Sequence, residues 1–162
     1  SLILLMLLPF QITMVPNMLM LRALNLLDTV WAVILPMWFA PLYVFLIRQY
    51  MLTIPNEFYE ASQLDGAGAG SCYLYITLPI CKPIIGTVIT LSFVDTWNMV
   101  EQPMVYLEDF GRYPISVALA SVPPENPTVQ LVCCILVALP PLFLFAYFNR
   151  ELVEGIALGG EK

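Results

Sequence analysis

Asp95, Asn98 and Gln102 recur at intervals of three and four residues inside an otherwise apolar stretch, with Glu101 beside them. At about 100° per residue the three lie within about 60° of one another on a helix. Phe93, Trp97, Val100 and Met104 take the opposite face. An ionisable group there is costly if it faces hydrocarbon, so it should face a cavity or a partner. Carboxylates and amides suit a solute rich in hydroxyls, which both donate and accept. The same groups suit a polar clamp onto a neighbouring helix. For Asp95 the two readings stand level; for Asn98, Glu101 and Gln102 the path lining is favoured. Catalysis finds no such support. The chain has no His, and no carboxylate pair sits beside a nucleophile. Cys72, Cys81, Cys133 and Cys134 lack zinc spacing and read as small buried apolar residues. Gly66, Gly68 and Gly70 form a GAGAGS run, but no Lys follows, so it is not a P-loop. We therefore expect no catalytic, cofactor or metal site, and any energy must come from a partner.

The elements that must hold these residues follow from composition. Of 162 residues, 60% are hydrophobic and only 11% charged. A soluble domain is about 25% charged. Disorder requires polarity, and nucleic-acid binding requires Lys and Arg, so both are excluded. Uncharged runs of about 20 residues match the length an α-helix needs to cross a bilayer. We expect an all-α, multi-pass transmembrane helical bundle with four spans, at residues 1–22, 29–50, 83–107 and 127–149. The runs are continuous and do not alternate, which favours helices over barrel strands. Asp28–Thr29 marks a start for the second span, and Asn126–Pro127 is an N-cap and N1 pair for the last. Pro9, Pro16, Pro36, Pro41, Pro140 and Pro141 fall inside spans and imply kinks. The basic residues divide four to two. Arg48, Lys82, Arg150 and Lys162 place the loop at 51–82 and the tail at 150–162 on the cytoplasmic side, against Arg22 and Arg112 outside. The chain opens within an apolar run that lacks a basic n-region and a cleavage site, so this run is not a signal peptide. We expect a piece that has lost its beginning.

The loop at 51–82 is patterned. Pro55 can open a helix, with Glu57 and Glu60 near its positive end. Gly66 supplies a C-terminal stop. The expected helix runs from Pro55 to Asp65, with Phe58, Tyr59 and Leu64 available to a partner. A second runs from Ala69 to Leu78 and ends against Pro79 and Pro83. The string EASQLDGAGAGSCYLYITLP, Glu60 to Pro79, resembles the cytoplasmic loop signature of ABC importer permeases. That pattern is E-A-A, three residues, G, nine residues, I-x-L-P. Glu60, Ala61, Gly66, Ile76, Leu78 and Pro79 match in register, and Ser62 stands where a third small residue is usual. The stretches Leu8 to Thr29, Ser92 to Pro103 and Leu152 to Lys162 look like parts of the carbohydrate, maltose-transporter-like subfamily.

This resemblance implies spans three to six of a six-span permease subunit. The loop would form a coupling helix that docks on an ABC ATPase dimer, with Glu60, Ala61, Ser62, Asp65, Gly66, Ile76, Leu78 and Pro79 at the contact. Other implied partners are a second homologous permease subunit, an extracytoplasmic solute-binding protein, a carbohydrate substrate and the lipid bilayer. The apolar stretch Pro114 to Val122 could form an external helix that meets the binding protein. An ion-coupled secondary transporter would need ionisable sites in several spans, and only Asp95 and Glu101 are available. A non-transporting scaffold would not need the loop signature. A merely interfacial helix would usually be basic, whereas this one is acidic.

Overall fold

The computed structural model describes residues 9–122 and 126–160. Every regular element among them is helical. In chain order these are α1 (Phe10–Ala23), α2 (Val30–Met37), α3 (Pro41–Met51), α4 (Asn56–Leu64), α5 (Ala69–Cys72), a π-helical turn (Tyr73–Thr77), α6 (Leu78–Ile80), α7 (Lys82–Trp97), α8 (Glu101–Tyr106), a 3-10 turn (Phe110–Arg112), α9 (Ile115–Ala120) and α10 (Pro127–Gly160).

Val30–Met51 and Pro127–Arg150 are long and apolar enough to cross a membrane. A third crossing arises if Ala69–Ile80 and Lys82–Trp97, bent by 68°, form one broken span. The expected run at 1–22 lies partly outside the described residues, and its described part is α1.

Prolines set the breaks. Pro79 has no N–H, so the carbonyl of Tyr75 loses its donor four residues on, and the turn over Tyr73–Thr77 widens to π geometry. Pro83 then cannot follow a continuing helix. The chain breaks at Cys81 and restarts at Lys82, which puts Pro83 in the first turn of α7, where a missing N–H leaves nothing unpaired. Pro103 acts in the same way on the expected 83–107 span. It would clash with the carbonyl of Met99 in a continuous helix. The helix stops at Trp97 and re-forms at Glu101, and the Met99 carbonyl accepts a hydrogen bond from Ser116 Oγ at 2.5 Å instead.

The chain divides into two compact units. The first comprises Ser1–Pro41 and Phe93–Phe143. Its core gathers Leu21, Ala32 and Tyr106, with Met14, Met18, Leu26 and Leu27 packed around them. α1 ends in a Schellman motif. Asn25 adopts φ 54°. The Leu26 N–H reaches the Leu21 carbonyl at 2.9 Å, and the Asn25 N–H reaches Arg22 at 3.1 Å. The second unit comprises Leu42–Ser92 and Leu144–Lys162. Its core gathers Tyr50, Ile54, Cys81 and Ile84. Thr87 and Thr90 are buried on α7 because each hydroxyl donates to a carbonyl of its own helix, Pro83 at 3.0 Å and Gly86 at 2.9 Å.

Candidate functional site

The expected coupling residues fall in the second unit. α4 spans Asn56–Leu64, with Pro55 as its N-cap residue and Glu57 in its first turn. The expected helix from Pro55 to Asp65 is one residue longer at each end. Gly66 is the left-handed residue that closes it, at φ +76°. The Ala67 N–H bonds the Ser62 carbonyl at 2.9 Å and the Gly66 N–H bonds Gln63 at 3.0 Å. This is the same cap that ends α1, here built on glycine.

A cleft of about 540 Å³ separates α4 from the segment after it. Ala61, Ser62 and Asp65 line one wall, Cys72, Tyr75 and Ile76 the other. Ser62 is buried and donates to the Tyr59 carbonyl at 2.8 Å, so a small side chain is required there. Glu60, Leu78 and Pro79 are exposed and do not line the cleft. Leu64 is 89% exposed, and Phe58 and Tyr75 are exposed as well. The structure thus brings four of the signature residues together and leaves three on the surface near them.

The polar residues of the expected third span belong to the first unit. Asp95 is exposed on the last turn of α7. Asn98 follows the helix end, and its side-chain amide donates to the Val94 carbonyl at 2.9 Å. Glu101 opens α8 and accepts from Gln11 Nε2 at 3.3 Å. Gln102 Oε1 is buried and accepts no hydrogen bond from the described residues. The interruption at residues 98–100 means that one continuous helix face does not carry Asp95, Asn98 and Gln102 together. The physical reason is Pro103, one to eight residues beyond them in the sequence pattern that suggested a single helix.

A further polar cluster lies in this unit at Asp28, which the sequence marks only as the residue before a span. Asp28 adopts φ 56°. Its N–H donates to the Tyr106 carbonyl at 2.9 Å. Its Oδ1 accepts from the N–H groups of Glu108 at 2.9 Å and Asp109 at 3.0 Å. Its Oδ2 pairs with the Arg112 guanidinium at 3.0 Å, and Arg112 also donates to the Asp28 carbonyl. The two backbone N–H groups, with the Arg112 charge, hold the Asp28 carboxyl below the usual carboxylate range. The left-handed backbone at Asp28 and the 3-10 turn at Phe110–Arg112 create this cluster, and no local spacing encodes the pairing. Among the described residues no group of His, Cys, Asp or Glu has the geometry of a metal site.

Val30–Met51 and Pro127–Arg150, apolar and of spanning length, mark a helical membrane protein. Residues 1–154 match the family described as binding-protein-dependent transport system inner membrane component, and the chain belongs to that family. It is 30% identical to the arabinooligosaccharides transport system permease protein AraQ of Halalkalibacterium halodurans, over 99% of this chain and 58% of that protein. It is 28% identical to protein LplC of Bacillus subtilis, over 92% of this chain and 56% of the relative. It is 27% identical to the sn-glycerol-3-phosphate transport system permease protein UgpE of Yersinia pestis, over 92% of this chain and 55% of the relative. The chain therefore spans a little over half the length of these relatives. Its fold is similar to a chain in the crystal structure of a bacterial ABC transporter involved in the import of the acidic polysaccharide alginate. The TM-score is 0.68 at 24% identity, covering 84% of this chain and 55% of that one.

Proposed function

We propose that this chain is part of the membrane-spanning permease subunit of a bacterial ABC importer for a carbohydrate. It is a non-catalytic subunit that pairs with a second homologous permease, draws on a cytoplasmic ABC ATPase dimer and receives its solute from an extracytoplasmic binding protein. In this reading α1, Val30–Met51, the α7–α8 segment and α10 are four spans in the inner membrane. Residues 51–82 and the tail at 150–162 are cytoplasmic. The observation that carries the proposal is α4: a short acidic helix, closed by a left-handed glycine, that exposes Phe58 and Leu64 beside an apolar cleft. Such a helix is a rigid lever end, suited to passing a rigid-body movement of an ATPase to the spans. The name of the AraQ relative, an arabinooligosaccharides transport permease, supports a carbohydrate as the solute. An ion-coupled transporter is not favoured, because the ionisable side chains in the proposed spans are few.

Topology gives the direct test. Ser62 is buried, so single cysteines belong at exposed Gln63 and Ser121, in a background without Cys72, Cys81, Cys133 and Cys134. In the full-length subunit an impermeant thiol reagent should reach Ser121→Cys in intact cells and Gln63→Cys only after permeabilisation. Reaction of Gln63→Cys in intact cells would reverse the orientation and remove the coupling role.

Path lining by Asp95, Asn98, Glu101 and Gln102 is proposed with it. Asp95→Asn removes charge at constant size, and Asn98→Leu removes hydrogen bonding. A lost substrate hydrogen bond costs about 0.5–1.5 kcal/mol, and more with charge. Each variant should lower uptake about 2- to 20-fold at unchanged subunit level. Full uptake by both variants ends the path reading. Low complex yield with normal uptake per complex assigns the residues to helix clamping.

A further inference from the structure

α10 carries two adjacent prolines, Pro140 and Pro141, in mid-helix. Pro140 and Pro141 have no N–H, so the carbonyls of Leu136 and Val137 both lack the donor that a helix supplies four positions on. Helices bend at such points unless another group satisfies the freed carbonyl. Here that group is the indole of Trp97, whose Nε1–H donates to the Val137 carbonyl at 3.1 Å from 40 residues away. The indole is itself held. It is half-buried and stacks on Phe93, with ring centroids 5.3 Å apart and planes inclined by 22°.

Trp97 is also the last residue of α7. Asp95 lies two positions before it and Asn98 immediately after it. A shift of the chain at this break therefore moves the indole and the polar side chains as one.

We propose that Trp97 is a positioning residue that latches the Pro140–Pro141 hinge of α10 and ties the state of that hinge to the polar residues at the end of α7. The bond between Trp97 and Val137 stiffens the hinge. Movement of Asp95 and Asn98 when a solute enters draws the indole away, and the hinge loosens. The second half of this statement rests on the path reading given above, whereas the latch itself does not.

The full-length subunit, in its assembled complex in lipid nanodiscs, provides the test. Spin labels at exposed Gln130 and Phe143 lie on either side of the prolines, about 20 Å apart along a helix. Their distance distribution reads the hinge without any need for transport. Trp97→Phe keeps the ring and its stack and removes only the N–H donor. It should broaden the distribution about twofold, and it should raise the ATP hydrolysed per solute imported about 2- to 10-fold, the range that one hydrogen bond supplies. Pro141→Ala restores the backbone N–H to Val137, so Trp97→Phe added to Pro141→Ala should broaden nothing. An unchanged distribution in Trp97→Phe overturns the latch. Broadening that persists in the Pro141→Ala background overturns the Val137 carbonyl as its target. Broadening with unchanged coupling overturns the tie to the polar residues and leaves only a structural bond. If no carbohydrate is imported by the parent complex, the distance arm still decides the latch, and the path reading fails separately.

Discussion

Gly66→Val is expected to abolish transport in the full-length subunit while membrane insertion and subunit level persist. Space is not the reason, since a Cβ at Gly66 would meet nothing within 4 Å. The backbone is the reason. At φ +76° an L-residue is strained by about 1–2 kcal/mol, and a β-branched one by more. The strain is relieved if the residue leaves the left-handed region. That change breaks the bonds from Ala67 to Ser62 and from Gly66 to Gln63, and it redirects the chain between the two walls of the cleft. The helix would survive and its position would not. Gly66→Asn supplies the control, because asparagine already occupies the same conformation at Asn25. It should retain most uptake. The measurement is solute-stimulated ATP hydrolysis together with ATPase co-purification, and normal stimulation in Gly66→Val would disprove the coupling role of this turn.

Tyr106→Ala should produce the largest loss of stability in the chain. Tyr106 is 1% exposed and fills the centre of the first unit between Leu21 and Ala32. Removing a buried aromatic ring to alanine costs about 3–5 kcal/mol, because the surrounding atoms close the cavity only in part. Its hydroxyl also donates to the Met14 carbonyl at 3.3 Å and bonds the Asn17 side chain, so Tyr106→Phe removes these bonds together, at about 1 kcal/mol each. Thermal unfolding in one detergent should rank wild type, Tyr106→Phe and Tyr106→Ala in descending order, with the larger gap at the second step. Equal melting of the phenylalanine and alanine variants would mean that the ring is not what holds α1, α2 and α8 together.

The sequence makes the helical class and the α4–Gly66 turn legible because both depend on local signals. Apolar run length sets the first. Pro55, the acidic first turn and Gly66 set the second within a dozen positions. The expected boundaries of this helix differ from Asn56–Leu64 by one residue at each end. The stretch expected as a third span was less legible. Asp95, Asn98 and Gln102 have helical spacing, and spacing does not reveal that Pro103 interrupts the helix between them. Ser62 was legible as small but not as buried, which depends on the neighbouring turn. The Asp28 cluster had no local signal. It joins residues about 80 positions apart through backbone N–H groups, which every residue possesses, and its one distinguishing mark is a left-handed aspartate that only the structure displays.

Two prolines of this chain are matched by side chains that donate to the carbonyls they free. Pro103 frees the carbonyl that Ser116 occupies, and Pro141 frees the one that Trp97 occupies. In each case the worth of the donor is conditional on the proline. Losing the donor alone strands a carbonyl in an apolar setting; losing the proline alone restores the helix's own bond and makes the donor redundant. The order in which such residues change therefore matters. Trp97 or Ser116 can be replaced with little penalty once its proline has gone, and either proline is best tolerated where the donor already stands. At these two sites proline and donor are epistatic, each freed carbonyl being satisfied by a side chain outside its own turn.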